Sequence, residues 1–335
     1  MSNCLRVQRE NQYDKILNTD YYNYELLDLL RICLSFFVVA IHTMPFSSVS
    51  RTMNAFFVNE VCRVAVPIFF LINGYFFFYK ETSLLKLKRF LFSLLLSYLS
   101  VSCIYMYIYV WHNGGELSQY IILTFREGYG HLWYVHSLIV GIMISFILFR
   151  YIHSGKILGL IAVSLYTIGA IANDFVGVAE GMFAFIRLSM VRHTLFMAIP
   201  FIVLGGVISR YKLKKNLTFL LLSCILLSLE NLLLFKFGIS QGYENNFFML
   251  FVACSLFILV MSMKIPAKLE SRYNRIGGNN IRKCGNIIYY IHGVYVALFA
   301  ECINNSFIYF GVVVFTSFVS AVIWIILGRK LSRKH

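Results

Sequence analysis

Residues 26–42 read Leu26-Leu-Asp28-Leu-Leu-Arg31-Ile-Cys33-Leu-Ser-Phe-Phe-Val-Val-Ala-Ile-His42. This is an apolar run interrupted by three ionisable side chains. Continued to residue 46, it reaches the roughly 20 mainly apolar residues that a membrane-spanning helix needs. Runs of the same kind recur near 63–79, 90–111, 132–152, 157–174, 192–209, 216–235, 246–264, 286–303 and 307–328. The last two are joined only by Asn304-Asn305-Ser306, a tight hairpin. Barrel strands would show about ten alternating residues instead. The expected fold class is therefore all-α, a polytopic integral-membrane bundle of ten transmembrane helices. The composition agrees: 59% of the 335 residues are hydrophobic and 13% charged, with a mean hydropathy of +0.73. Soluble domains carry about 25% charge, so a soluble enzyme, a disordered tail protein and a secreted disulfide scaffold are excluded.

Charge orients the bundle. The formal net charge is +15, and the basic residues gather between the apolar runs. Grouping the N-terminus, the loops after helices two, four, six and eight, and the C-terminus collects 23 Lys/Arg, against six on the other side. The positive-inside rule assigns the richer side to the cytoplasm. Both termini are then cytoplasmic, consistent with an even number of helices. The expected layout is a cytoplasmic segment 1–25, a membrane domain 26–328 and a basic tail 329–335. Residues 1–25 lack the pattern of a cleaved signal peptide. The eight cysteines show no CxxC spacing and read as small buried hydrophobes rather than as a metal or disulfide framework. No nucleic-acid partner is needed to explain the basic residues.

Ionisable groups inside membrane helices are costly and are functional candidates by default. Arg31 and His42 are eleven residues apart, which at 100° per residue puts them on one stripe about 16 Å apart along the axis. Arg31 also has a structural alternative, pairing with Asp28 and snorkelling to the headgroups. His42 has one too, as a satisfied interior histidine. His131, Trp133 and His136 open the fourth helix at the outer face. Arg63 approaches the second helix from that side, Arg192 the sixth, and Glu230 lies in the outer half of the seventh. Asn73, Gly74 and His292 are expected nearer the cytoplasm, and Gly74 is equally explained by close helix packing. The basic cytoplasmic loops, including Lys86, Lys88, Arg89, Arg275 and Arg282, suit anionic lipid or an anionic ligand. No phosphate loop, nucleophile elbow or HExxH motif is present.

The ordered set of motifs resembles membrane acyltransferase family 3. Its carriers are Asp28-Leu-Leu-Arg31 with His42, Arg63-Val-Ala-Val-Pro-Ile-Phe-Phe-Leu-Ile-Asn-Gly74, His131-Leu-Trp133-Tyr and Ile288-Tyr-Tyr-Ile-His292. Asn73 stands where Ser is more usual, and Lys86-Leu-Lys-Arg89 replaces the typical RxxR. The resemblance implies O-acetylation of a sugar hydroxyl on an envelope polysaccharide or its lipid-linked precursor, with acetyl-CoA as the cytosolic donor and Arg31 and His42 as the functional pair. It implies a multi-pass protein of the bacterial inner membrane, with the acceptor handled by the membrane domain itself. No bound cofactor or metal is expected, and homo-oligomerisation stays open.

The expected roles follow from side and chemistry. The donor contacts are Lys86, Lys88, Arg89, Arg275, Arg282 and His292. The acceptor contacts are Arg63, His131, Trp133, His136, Arg192 and Glu230. His42, with an ordinary pKa near 6.5, suits a general base, and Trp133, His131 or Arg63 an oxyanion donor. A covalent acetyl-histidine is a variant. A rival reading is a small-solute transporter, because the second helix also resembles the membrane module of a vancomycin-resistance serine racemase. A third is a nonenzymatic partner in polysaccharide assembly. For the topology, alkaline phosphatase fused at residue 305 should be active and the same fusion at residue 335 inactive; equal activities would overturn it.

Overall fold

The computed structural model describes residues 24–79, 83–175, 191–211, 214–237 and 246–332, and among these every regular element is helical. In chain order they are α1 (Tyr24–Thr43), α2 (Arg51–Phe78), α3 (Leu84–His112), α4 (Leu117–Arg126), α5 (Trp133–Tyr151), α6 (Gly155–Phe175), α7 (His193–Arg210), α8 (Leu217–Phe237), α9 (Met249–Met261), α10 (Ala267–Ile276), α11 (Gly278–Phe299) and α12 (Ser306–Ser332). Each of the ten expected apolar stretches carries a helix. Eight spans among the described residues are long and apolar enough to cross a membrane, with α4 and α5 counted as one. α9 is shorter.

Three boundaries differ from expectation. α2 begins at Arg51 rather than residue 63, because its first turns run through a π-turn (Phe57–Val61) and a 3-10 turn (Cys62–Val64) before regular α-helix resumes. The segments between the third and fourth apolar runs, and after the eighth, are not plain loops. They hold the short amphipathic helices α4 and α10, too short and too polar for a hydropathy window to find. Ser50 and Ser83 begin α2 and α3 by accepting backbone N–H bonds from Met53 and Lys86. Of the cysteines within the described residues, Cys62 and Cys284 are buried, whereas Cys33, Cys103, Cys224 and Cys302 face outward. The expectation of buried cysteines is corrected for those four: their helices turn that side to the exterior.

α2 runs through the middle of the bundle against α7, and glycine makes their contact. A Cβ on Gly74 would collide with the Ile202 carbonyl, and one on Gly205 with the Leu71 carbonyl and the Tyr75 nitrogen. Small residues let helix backbones approach where lipid supplies no hydrophobic drive for association. On the other flank α11 packs on α1 and α12, and Ser35 Oγ donates to the Gly285 carbonyl at 2.9 Å. Exposed Phe92, Phe235, Phe315 and Trp324 give the outer surface an apolar character, as lipid contact requires.

At the Asp28 end, polar groups converge. Asp28 is 1% exposed, pairs with Arg31 at 3.1 Å and Arg282 at 3.3 Å, and accepts the Tyr273 hydroxyl at 2.7 Å. One carboxylate thereby ties α1, α10 and α11 together. Gly277 makes the corner between α10 and α11 with φ +85°, a conformation that disfavours other residues.

Two stability predictions follow from these contacts. Gly205→Ala should cost about 3 kcal/mol, the upper end of overpacking, read as a lower thermal midpoint in detergent. Gly159→Ala, whose added methyl meets nothing within 4 Å, should be neutral. Asp28→Ala leaves the partly buried Arg31 guanidinium without its carboxylate and should cost about 3 kcal/mol, the lower end for breaking a buried pair; an unchanged midpoint would overturn the role of this node.

Candidate active site

Two cavities adjoin inside the bundle. The first, about 140 Å³, is lined by Arg31, Asn73, Tyr134, Gly285, Asn286 and Tyr289 among others. The second, about 120 Å³, is lined by His42, Arg63, His131, Trp133, Tyr134 and Tyr289, with apolar side chains between them. Tyr134 and Tyr289 belong to both linings. α1 therefore presents Arg31 to one chamber and, three turns on, His42 to the next.

Local structure aims each side chain. The break in the first turns of α2 brings Arg63 to the second cavity, where its Nε donates to Asn59 Oδ1 at 3.0 Å. Gly128 and Gly130, both with positive φ, turn the chain into α5 so that His131 enters the interior. His131 then lies against α11, where a Cβ on Gly293 would strike its ring. Trp133 stacks on His193 with centroids 4.0 Å apart. Asn73 Nδ2 donates to the Phe69 carbonyl at 2.8 Å and the Tyr134 hydroxyl at 2.9 Å.

Three histidines meet at this point. Ring centroids are 5.9 Å apart for His42 and His131, 5.4 Å for His42 and His292, and 4.3 Å for His131 and His292. His292 is fully buried, and its Nδ1 lies 2.7 Å from the Tyr289 carbonyl and 3.2 Å from that of Ile288. Carbonyl oxygens only accept, so the network places the proton on Nδ1 and a lone pair on Nε2. The Nε2 atoms of His131 and His292 have no hydrogen-bond partner among the described residues. Buried polar atoms without partners are rare, and of these two residues His131 lines the second cavity. His42 turns its ring to the cavity.

The remaining expected site residues divide. His292 does not lie near the Arg31 end as expected but at the level of His42, because α11 runs alongside α1 with its own register. Arg282 meets Asp28 beside Arg31. Arg31 itself pairs with Asp28, stands over the Phe76 ring and still lines its cavity. Lys86 donates from Nζ to the Phe77 carbonyl at 2.5 Å and sits over the Phe77 ring, covering the C-terminal end of α2. Lys88, Arg89 and Arg275 are exposed and line neither cavity. His136 lies beside Tyr98 with Nε2 3.1 Å from the Phe125 carbonyl, turned away from both chambers. Glu230 accepts the backbone N–H groups of Phe247 and Phe248 at 2.6 and 3.0 Å, holding the turn that starts α9. The Arg192 side chain lies outside the described residues. No cluster of three or more His, Cys, Asp or Glu side chains with metal-holding geometry occurs among the described residues.

Motif reading missed Tyr134, Tyr289 and Asn286 as lining residues. Tyr134 and Tyr289 sit inside the recognised motifs, which was the available signal.

Comparison with known proteins agrees with this layout. The chain is 27% identical over 91% of its length to an amino-acid racemase of Enterococcus faecalis, and over 93% to a second protein of that name and organism. It is 26% identical over 70% of its length to a serine/alanine racemase of Enterococcus gallinarum. The matches cover 46%, 46% and 37% of those proteins, so the chain spans less than half the length of these curated relatives. No solved structure matches. The acyltransferase domain of acyltransferase family 3 matches residues 24–329, nearly the whole helical bundle just described. The chain is a multi-pass membrane protein that belongs to acyltransferase family 3.

Proposed function

We propose that the protein transfers an acetyl group from cytosolic acetyl-CoA to a sugar hydroxyl of an envelope polysaccharide or its lipid-linked precursor. The observation that carries this reading is the pair of adjoining cavities, with Arg31 in one and His42 in the other. A donor arriving on the basic side and an acceptor arriving on the opposite side would meet at their common wall. This is the arrangement that transfer across a membrane-embedded site demands. The Asp28 end is assigned to the cytosol on the charge count, which places Arg31 toward the donor's phosphates. The exposed Lys88, Arg89 and Arg275 would draw the donor to the surface, and Arg31 and Arg282 would receive it at the mouth.

Chemistry would occur in the second chamber. His42 takes the proton of the acceptor hydroxyl as its oxygen attacks the thioester carbonyl carbon. The carbonyl oxygen becomes an oxyanion and needs a donor beside it. Arg63, fixed by Asn59, and His131, with its buried Nε2, line the same cavity. Collapse of the intermediate breaks the C–S bond, and the sulfur leaves with the proton that His42 holds. The products are an acetyl ester and the free CoA thiol, with His42 returned to its neutral form. His292, with Nδ1 fixed on backbone carbonyls, stands behind His42 and His131 in the three-histidine cluster rather than among the donor contacts.

The matched region of the racemases keeps a second reading in view, uptake of an amino-acid-type solute along the same path. Membranes holding the full chain, given labelled acetyl-CoA on the cytosolic face, separate the two. Label should pass into glycan or glycolipid, and His42→Ala at matched expression should lower it at least 100-fold, within the range of general base catalysis, about 10²–10⁴. Equal label in both would remove His42 from the chemistry. No label and no CoA binding, with solute uptake present, would favour transport.

A further inference from the structure

A histidine that takes a proton as general base becomes a cation, and in the second cavity that cation has a like-charged neighbour. Arg63 lines the same cavity as His42, and no Asp or Glu does among the described residues. The other polar groups around His42 are His131, Trp133 and Tyr134 of α5 and Tyr289 and His292 of α11, while α7 brings the apolar Met197. A protonated imidazole donates from both ring nitrogens. With one nitrogen toward the acceptor hydroxyl, the other needs a lone pair on the far side of the ring.

His292 has such a lone pair to offer. Its Nδ1 lies against the carbonyls of Tyr289 and Ile288, three and four residues back on its own helix, so the ring is held to α11 and Nε2 is left as an acceptor. The residue is fully buried, and that Nε2 has no partner among the described residues. His292 does not line the cavity, so its lone pair does not compete for substrate. The His42 and His292 ring centroids are 5.4 Å apart with the planes tilted by 38°. Two imidazoles joined by an N–H···N bond of about 2.9 Å have centroids roughly 5.2 Å apart. The spacing is therefore right for a bond that a turn of the His42 ring completes. His131 is farther from His42, at 5.9 Å, and itself lines the cavity.

We propose that His292 is a positioning residue for His42: its Nε2 accepts the N–H of the His42 nitrogen that faces away from the acceptor. The inference rests on the acyl-transfer reading above, in which His42 is the base. The bond holds the opposite nitrogen ready for the hydroxyl proton and stabilises the imidazolium once that proton has arrived. No proton passes to His292. The one taken from the hydroxyl stays on His42 until the CoA sulfur leaves with it. A carboxylate does this work beside the histidine of a Ser-His-Asp triad. A neutral imidazole does it here without placing another charge in the membrane interior, where charge is costly.

The test measures kcat and the KM for acetyl-CoA with the full chain in membranes, on variants whose thermal midpoint in detergent shows that they fold. His292→Phe keeps the ring bulk and removes the lone pair. It should lower kcat about tenfold or more, the loss of one hydrogen bond to a charged group, with KM within threefold of wild type. If that variant does not fold, His292→Asn serves instead, since its amide can still reach the helix carbonyls but leaves nothing at the Nε2 position. His292→Gln, which can return an oxygen near that position, should recover at least threefold of the lost kcat. On a His42→Ala background His292→Phe or His292→Asn should change the residual rate by less than twofold, because its partner is gone. A kcat within twofold of wild type in the folded single variant, or losses that multiply on the His42→Ala background, would overturn the positioning role and leave acyl transfer standing. A wild type that consumes no acetyl-CoA would overturn the underlying reading, and this role with it.

Discussion

A polar side chain inside an apolar layer must find a partner or face a cavity, and this constraint organises the bundle. Its cost is high because no water is at hand to substitute. Asp28 meets it by binding Arg31, Arg282 and the Tyr273 hydroxyl, and in doing so locks three helices at one end. Glu230 meets it on two backbone N–H groups before α9. His42 and Arg63 meet it by facing a chamber. The same physical demand thus separates residues that hold the fold from residues that remain accessible to a ligand.

The interior is held open by backbone contacts elsewhere. Where α2 and α7 touch through Gly74 and Gly205, their main chains come close enough that no side chain fits between them. That close contact fixes α2 relative to the rest, and with it Asn73 and Arg63 at two levels of the site. α11 is placed independently by Ser35 and by Asp28, through Arg282, and it carries both Tyr289 and His292. The cavities are the space left chiefly among α1, α2, α5 and α11 once these contacts are made, with Leu94 of α3 and Met197 of α7 completing their linings.

Joining donor and acceptor within a membrane poses a leakage problem as well as a chemical one. A continuous channel from Arg31 to His42 would let water and ions follow the substrate. Here Arg31 and His42 lie in two adjoining cavities that share Tyr134 and Tyr289 in their linings. Their hydroxyls are bonded to a residue of each cavity, Tyr134 to Asn73 and Tyr289 to the His131 carbonyl.

Much of this was legible in the order of residues. Hydropathy marks the ten long apolar stretches because lipid imposes a minimum length of apolar residues, and it passes over the short α4 and α10. The eleven-residue spacing of Arg31 and His42 sets them on one stripe because helical rise and twist are fixed. The pairing of Asp28 with Arg31 is equally local. Other features depend on how separate helices are offset and tilted against one another, which no single segment encodes. His292 reaches the level of His42 only because of the register of α11 on α1. His136 and Glu230 turn to backbone partners that come from distant segments or across a turn. Tyr134 and Tyr289, two among 22 tyrosines, become a shared wall only when α5 and α11 converge. Local spacing determines which residues share a face; the tertiary structure decides which faces meet, because that depends on glycine contacts and buried polar pairs between segments far apart in the chain.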